Sequence, residues 1–272
     1  MNDPAESVAL YERGRELAGK GRLDEARQCF EQACEAGSPV AAIELGDLAK
    51  RDHNPVEAEK WYRRALELGS AVGATRIGLI QEDWSDVEGA ERWYRRAAEG
   101  GDPDGTYNLG LLLRRAGNLD EAARHYERAF ELGVPEAAYN RAMIYNRAGD
   151  VAAAKQWFLR SADAGLAAGA FFLGQLFLEE GDNDQAEQWW RKAADLGDPR
   201  AAFNVGWLYG EAGDMAEAER WFQRAADEHD NQDALVRLGE LYKERGDQEK
   251  ADSYFDRIDR GGPEIIGASW RP

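Results

Sequence analysis

Glycine, alanine and aromatic residues recur along the chain at an interval of 32 residues (Gly14 to Gly46, for example), and mostly polar residues separate them. The interval lengthens to 33 residues only at the last step, from Gly206 to Gly239. A period of this length is typical of a solenoid, in which each repeat packs against its neighbours. The first column of small residues is Gly14, Gly46, Gly78, Gly110, Ala142, Gly174, Gly206 and Gly239. The second column is Ala26, Ala58, Ala90, Ala122, Ala154, Ala186, Ala218 and Ala251. The aromatic column is Phe30, Tyr62, Tyr94, Tyr126, Phe158, Trp190, Phe222 and Phe255.

The seventh repeat illustrates the two short helices that the sequence predicts in each unit. Asp198 suits the N-cap of the first helix, and Pro199 suits its first position, where a missing N–H costs nothing. Gly213 suits the left-handed residue that ends this helix. Asp214, with Glu217 three residues later, has the spacing of a capping box at the start of the second helix. Each repeat is therefore predicted to be a helical hairpin.

The three columns predict where the helices of a hairpin touch. Gly206 on the first helix and Ala218 on the second lack bulk, so we expect their two backbones to approach closely. Trp221 and Phe222 follow one turn after Ala218, and rings of this size are expected to fill the seam between adjacent hairpins.

Charge and hydropathy exclude several classes of protein. The 272 residues include 52 acidic and 34 basic side chains, and the net charge of −18 disfavours nucleic acid, whose phosphates require clustered Lys and Arg. No apolar run approaches the roughly 20 residues of a membrane span, and the first residues lack the pattern of a signal peptide. We therefore expect a cytoplasmic protein that binds neither nucleic acid nor a membrane.

Residue types that hold metals or perform catalysis are few and scattered in the sequence. His53, His125 and His229 fall in different repeats, and no His/Cys pair has metal-ligand spacing. Cys29 and Cys34 are expected to be buried thiols, because five residues along a helix are too long a span for an unstrained disulfide. The sequence has no phosphate-binding glycine loop or nucleophile elbow. We expect no metal, no cofactor and no enzymatic activity.

Several segments resemble two related families of helical repeats. Residues 107–110 (Tyr-Asn-Leu-Gly), followed by Gly117, Ala122, Tyr126 and Ala129, resemble the tetratricopeptide repeat. Residues 93–100 and 189–194 resemble the signature of the Sel-one-like repeat instead, and each begins with Trp, a second aromatic residue and Arg. The short link between hairpins at residues 197–202 is also similar to the Sel-one-like form.

The period and the resemblance together predict an all-α protein. The expected fold is a right-handed superhelical α-solenoid of about eight helix-turn-helix repeats in a single domain. The tail, residues 263–272, departs from the pattern, and it either caps the last hairpin or contacts another molecule through residues such as Trp270. The predicted repeats are residues 5–37, 38–69, 70–101, 102–133, 134–165, 166–197, 198–230 and 231–262.

The resemblance implies that the first helices line a concave face on which a ligand binds. Helical spacing selects the residues two before, one after and five after the recurring glycine. In the fourth and fifth repeats this face combines amides, arginines, apolar residues and tyrosines, which suit peptide backbones and carboxylates. The candidate peptide-binding residues there are Tyr107, Asn108, Leu111, Arg114, Arg115, Tyr139, Asn140, Met143 and Arg147. A second, more apolar group of candidates is Phe172, Gln175, Asn204 and Trp207.

The first group resembles part of the carboxylate clamp by which some tetratricopeptide domains hold acidic chain ends. This group departs from the clamp in two ways. Leu111 stands where the clamp has an asparagine, and the group includes no lysine. The alternative interpretation is that these amides and tyrosines are consensus residues, that the arginines are merely solvated, and that Trp207 is buried against a neighbouring hairpin.

The resemblance implies a scaffold or adaptor that binds a protein or peptide. It leaves two alternatives open. One is a regulatory or self-assembling protein whose groove takes its own tail or a second copy, and the other is an enzyme subunit. The sequence does not set the oligomeric state.

Overall fold

The computed structural model describes residues 4–260, which form sixteen α-helices and contain no β-strand. The prediction of an all-α protein built from helix-turn-helix repeats is confirmed. The predicted tail, with Trp270, lies outside the described residues. The helices are α1 (Pro4–Gly19), α2 (Leu23–Glu35), α3 (Pro39–Arg51), α4 (Pro55–Glu67), α5 (Val72–Asp83), α6 (Val87–Glu99), α7 (Pro103–Arg115), α8 (Leu119–Glu131), α9 (Glu136–Arg147), α10 (Val151–Asp163), α11 (Ala167–Glu179), α12 (Asn183–Asp195), α13 (Ala201–Glu211), α14 (Met215–His229), α15 (Gln232–Glu244) and α16 (Gln248–Arg260).

Contacts between helices divide the chain into two units, Met1–Ile144 and Tyr145–Pro272, and the division falls inside α9. Within each unit the first helix of a hairpin packs on the second helix that follows it, as α3 does on α4 and α11 on α12. Each second helix also packs on the first helix of the next hairpin, as α4 does on α5 and α12 on α13. Each hairpin is therefore stabilised by its neighbours as well as by its own two helices.

Left-handed residues close the tight turns within the hairpins. Gly213 has a φ of 81°, as its predicted role requires. In the second and third hairpins the equivalent residue is not a glycine, and His53 and Ser85 adopt the same region with φ of 58° and 62°. This conformation costs an L-residue roughly 1–2 kcal/mol relative to glycine, so the hairpin geometry is retained against a local penalty.

Side-chain caps begin several helices, α3, α6 and α14 among them, whereas α2, α5, α8, α11 and α13 have none. Asp214 accepts a hydrogen bond from the backbone N–H of Glu217 at 3.2 Å, which confirms the predicted cap of α14. The predicted start of the preceding helix at Pro199 is wrong, because α13 begins at Ala201. Asp198 instead accepts the backbone N–H of Arg200 at 2.9 Å and also binds that residue's guanidinium at 2.7 Å. Its carboxylate is thereby engaged in a turn before the helix.

The glycine column makes room for the aromatic column. A Cβ atom added at Gly46 would lie 2.3 Å from the ring of Tyr62, and one added at Gly206 would lie 2.7 Å from the ring of Phe222. The predicted reason for glycine, close approach of the two backbones, is secondary. The Cβ added at Gly206 would lie 3.2 Å from the carbonyl oxygen of Ala218, farther than it lies from the ring. The core of each hairpin is thus an aromatic ring laid on a glycine of the facing helix.

Exposed ion pairs connect neighbouring hairpins within each unit. In the first unit Arg27 pairs with Asp52 at 2.6 Å and Lys50 with Asp83 at 3.1 Å. Pairs exposed to solvent contribute only about 0–1 kcal/mol each, so they add little to the stability that the core provides. Such pairs in the second unit include Lys192–Asp163, Arg224–Asp195 and Arg257–Asp227, at 2.9–3.1 Å.

Candidate functional site

The candidate residues lie on the first helices of four hairpins, and together they are called the first-helix stripe below. Asn140 is buried, Arg115 and Arg147 are exposed, and the other members are half-buried. The division between the two units separates the stripe, so its two parts are described separately. The first unit holds Tyr107, Asn108, Leu111, Arg114 and Arg115 on α7, and Tyr139, Asn140 and Met143 on α9. The second unit holds Arg147, Phe172, Gln175, Asn204 and Trp207.

The amide of Asn140 is engaged inside the protein. Only 8% of this residue is exposed, and its Nδ2 donates to the hydroxyl of Tyr107 at 2.8 Å and to the backbone oxygen of Glu136 at 3.1 Å. Burial raises the pKa of Tyr107 above its ordinary value, and the hydrogen bond from Asn140 opposes that rise. Asn140 therefore connects α9 to α7 with both of its N–H groups, which leaves neither for a peptide backbone.

The guanidinium of Arg115 is also paired within the protein, although 65% of its side chain is exposed. It donates to Glu82 of the preceding hairpin at 2.9 Å. The same carboxylate accepts the hydroxyl of Tyr94 at 2.6 Å. Burial raises the pKa of Tyr94, and the hydrogen bond and negative charge of Glu82 raise it further. Arg115 thus completes a chain from a buried hydroxyl through a carboxylate to a cation.

The second hairpin has the same arrangement with different residues. The hydroxyl of Tyr62 donates to Asp47 at 2.6 Å, and Arg76 of the next hairpin lies 3.7 Å from that carboxylate. We call each such set, of core tyrosine, first-helix acid and arginine, a carboxylate bridge. The sequence prediction missed both bridges. Their signal is an acid one or four residues after the recurring glycine in a repeat whose aromatic column is tyrosine.

The fourth hairpin has the core tyrosine without the acid. Leu111 and Arg114 occupy the two first-helix positions at which the second and third hairpins place their acids. Tyr126 is 0% exposed, and its hydroxyl has no hydrogen-bond partner among residues 4–260. Burial raises the pKa of Tyr126 to about 12, while the charge of Arg114 opposes the rise. The ring packs on that of Tyr107, with centroids 5.9 Å apart.

Two polar members of the stripe on α7 remain unengaged. The side chains of Asn108 and Arg114 make no hydrogen bond or ion pair to any other described residue. Both are half-buried, and Leu111 lies between them in the sequence. The polar side chains of α7 therefore differ: Arg115 is paired with the preceding hairpin, whereas Asn108 and Arg114 have no side-chain partner within residues 4–260.

In the second unit the aromatic members of the stripe differ in their surroundings. The ring of Phe172 stacks on that of Phe158 at 5.3 Å and meets that of Phe171 edge-on at 5.6 Å. The guanidinium of Arg200 lies 3.7 Å from the centroid of Phe171, which covers this cluster with a cation. Trp207 is half-buried, and its ring is not part of this cluster.

Residues 4–260 contain neither a membrane-spanning helix nor a cluster of metal ligands. No helix in that range combines the length and the apolar character that crossing a membrane requires. No three His, Cys, Asp or Glu side chains of the same range converge in a way that could hold a metal ion. Cys29 and Cys34 are buried and form no disulfide.

Sequence-family comparisons match most of the repeats. A tetratricopeptide repeat model matches residues 11–72, 107–171 and 171–232, more than half of the chain, and another matches residues 233–259. A Sel1 repeat model matches residues 79–102, which contain the first of the two segments that resemble that repeat. Proteins of these families generally mediate protein–protein interactions and are typically non-enzymatic scaffolds.

Comparisons with solved structures find the same architecture. The chain is similar to a protective antigen present in uropathogenic Escherichia coli strains, which displays an SLR fold, with a TM-score of 0.68 and 24% identity over 93% of this chain. That match covers 61% of the antigen, so the chain spans less than two thirds of its length. It is also similar to a Sel1 repeat protein from Oxalobacter formigenes, with a TM-score of 0.69 and 25% identity over 96% of this chain and 85% of that one. No curated protein matches the sequence. The chain belongs to the tetratricopeptide repeat family.

Proposed function

We propose that this protein is a non-enzymatic scaffold or adaptor that binds a peptide or partner protein on the first-helix stripe, with its main site on α7. The observation that supports this most strongly is the contrast among neighbouring hairpins. The second and third use their stripe carboxylates in carboxylate bridges. In the fourth, Asn108 and Arg114 have no partner within the described part of the chain.

The free side chains of α7 match the chemistry of an extended peptide. The amide of Asn108 offers a donor and an acceptor, the two groups that a peptide backbone presents. The guanidinium of Arg114 is a planar fork suited to a carboxylate. Leu111 gives the apolar contact between them. Asn140 and Arg115, which the sequence grouped with these residues, have a supporting role in this proposal, because they fix the positions of α7 and its neighbours.

A protein or peptide partner also agrees with the charge of the chain. A net charge of −18 opposes binding to a polyanion such as DNA or RNA. A cytoplasmic location is part of this proposal, because the buried thiols of Cys29 and Cys34 suit a reducing compartment.

A site-specific photo-cross-linker tests where the partner binds. We propose p-benzoylphenylalanine at Leu111 on α7 and, as the matched control, at Arg124, an exposed position on the second helix of the same hairpin. Irradiation in the native host is expected to attach a discrete partner polypeptide to the Leu111 variant and not to the Arg124 variant.

Two results would contradict the proposal in different ways. Cross-links formed only from Arg124 would move the binding surface to the second helices. A cross-linked product of twice the chain's mass, containing this chain alone, would favour the self-assembling alternative. Light scattering over a range of concentrations would then establish whether the free protein associates with itself.

A further inference from the structure

The three core tyrosines of the first unit occupy the same place in the repeat, sixteen residues after the recurring glycine. Two of them, Tyr62 and Tyr94, donate to carboxylates at the same length of 2.6 Å. The acids come from different positions, Asp47 one residue and Glu82 four residues after the glycine. Both positions therefore bring a carboxylate to the place that the core hydroxyl faces.

Tyr126 faces the corresponding place in the fourth hairpin without a partner among the residues that the structure describes. A buried hydroxyl without a hydrogen bond is unfavourable, because it has given up its bonds to water. The repeat does not need this hydroxyl for packing, since phenylalanine fills the same column at Phe30 and Phe222. The hydroxyl is thus an unsatisfied donor in a position where its two equivalents bind carboxylates.

The side chains beside Tyr126 favour a negative group at this place. The charge of Arg114 is close enough to lower the pKa of Tyr126. Among the described residues this guanidinium has no carboxylate of its own. Asn108, six residues earlier on the same helix, also has an amide without a side-chain partner in the part of the chain that the structure describes.

We propose that the fourth hairpin binds a carboxylate of an acidic peptide, which accepts from the hydroxyl of Tyr126 and from the guanidinium of Arg114. The ligand carboxylate takes the place that Asp47 and Glu82 have in the second and third hairpins. This inference rests on the proposed peptide-binding function and specifies the group that α7 recognises. The hydroxyl is covered in the free protein, and Arg114, which has no ion pair within residues 4–260, moves to admit the ligand.

The overall charge of the protein selects a single carboxylate over a polyanion. At physiological salt the Debye length is about 8 Å, so a net charge of −18 weakly affects a group in direct contact with Tyr126 and Arg114. A long chain of phosphates or acids would extend beyond that local site over a negative surface. The carboxylate itself comes either from a glutamate or aspartate side chain or from the carboxyl end of the peptide.

Four peptide mixtures test the inference and distinguish the two sources of the carboxylate. Each is a fluorescein-labelled nonapeptide with randomised uncharged residues around a central glutamate or glutamine, made with either a free carboxyl or an amide end. Fluorescence anisotropy at physiological salt measures binding to the full chain. We expect the doubly neutral mixture to bind about tenfold more weakly than a mixture that presents the recognised carboxylate.

Variants of the fourth hairpin identify the groups responsible. Tyr126→Phe removes only the hydroxyl, and it is expected to abolish most of the preference for the charged mixtures. Leu111→Asp and Arg114→Glu place an acid where the second and third hairpins have one, so each is expected to satisfy Tyr126 internally and exclude the ligand. Tyr94→Phe, at the matched position of the third hairpin, is the control and is expected to leave the preference unchanged.

A measurement without a ligand tests the geometry independently. Leu111→Asp is expected to raise the thermal unfolding midpoint by about 2–4 °C when Tyr126 is present. The same substitution in the Tyr126→Phe background is expected to give no such rise, since the hydroxyl is missing. A rise of equal size in both backgrounds would overturn the inference, because the acid would then not be meeting the hydroxyl.

The remaining outcomes are decisive as well. Preference for the central glutamate, or for the free carboxyl end, supports the inference and names the source. Equal binding of all four mixtures, or an unchanged preference in Tyr126→Phe, overturns it. If the cross-linker at Leu111 still captures a partner in that case, the proposed function stands without the carboxylate. If that cross-linker captures nothing and no mixture binds, both proposals fail.

Discussion

In the third hairpin the hydroxyl of Tyr94 donates to Glu82, which also pairs with Arg115, whereas in the fourth the equivalent hydroxyl of Tyr126 has no partner among the described residues. The two rings are equally buried, each lying on a glycine of the facing helix. The comparison shows that the hydrocarbon packing of the repeat and the polar chemistry at its edge vary independently. The polar chemistry differs between these two hairpins without a change in their fold.

The largest expected effect is common to both hairpins. Tyr94→Ala and Tyr126→Ala each remove a buried ring, and each is expected to lower the free energy of unfolding by about 3–5 kcal/mol. Chemical denaturation followed by circular dichroism measures this change. A small loss for Tyr126→Ala alone would show that its ring is less tightly packed than that of Tyr94. The two hairpins would then differ in their cores as well as in their polar contacts.

Added methyl groups test how firmly the two rings are held. A Cβ at Gly78 would lie 2.5 Å from the ring of Tyr94, and one at Gly110 would lie 2.8 Å from that of Tyr126. Overpacking of this kind costs typically 1–3 kcal/mol. We expect the larger loss for Gly78→Ala, because the hydroxyl of Tyr94 is anchored and its ring cannot yield.

The control for this pair is Gly210→Ala in α13, where an added Cβ would meet no atom within 4 Å. There the helix propensity of alanine is expected to stabilise the protein by up to about 1 kcal/mol. Equal losses at Gly78, Gly110 and Gly210 would mean that helix geometry, and not the aromatic ring, determines the need for glycine.

Removal of the hydroxyl alone separates the two hairpins most directly. Tyr94→Phe breaks a hydrogen bond to a carboxylate and is expected to cost about 1.5–3 kcal/mol, nearer the lower value because Glu82 is partly solvated. Tyr126→Phe is expected to be neutral or slightly stabilising, since it removes an unsatisfied donor. Matched denaturation curves measure both. Equal costs would show that Tyr126 has a hydrogen bond in solution.

The smallest effect concerns acid sensitivity, in which the two hairpins also differ. His125 of the fourth stands where the third has Trp93. Burial lowers the pKa of His125, although Glu121 at 3.8 Å opposes this and Arg95 and Arg124 reinforce it. The neutral form is therefore favoured in the folded protein, and its contribution to stability is lost as the pH falls below about 6.5.

We expect the stability of the wild type to decrease more than that of His125→Gln between pH 7 and pH 5. Thermal unfolding of both proteins across this range measures the difference, and the subtraction removes the contribution of carboxylates common to the two. Parallel curves would show that His125 is solvated and does not distinguish the fourth hairpin from the third.

The sequence predicted the hairpins and the core because both depend on a pattern that repeats. The columns containing Gly110, Ala122 and Tyr126 have the same spacing in nearly every copy, and all three of these residues are buried as that spacing requires. The start of α13 was wrong because it depends on a local competition. Arg200 binds the carboxylate of Asp198 with its guanidinium as well as its backbone N–H, and helix-capping rules describe only the second of these bonds.

The site was only partly predictable because contacts between hairpins determine it. The buried Asn140 donates to Tyr107, 33 residues earlier, and Arg115 is paired with Glu82, also 33 residues earlier. Nothing within a single repeat indicates such a partner. A polar pair separated by one period plus one residue is the signal that would have found both.

The ion pairs between hairpins depend on which repeats stand next to each other. A copy of the third repeat inserted in place of the fourth would preserve every packing column. It would also bring Asp83 to the position of Arg115, opposite Glu82, and would set two negative charges against each other. Shuffled or duplicated repeats should therefore still stack, because the packing columns match, but each mismatched charge pair should cost up to about 1 kcal/mol. The surface charges thus favour the natural order of the repeats over other orders.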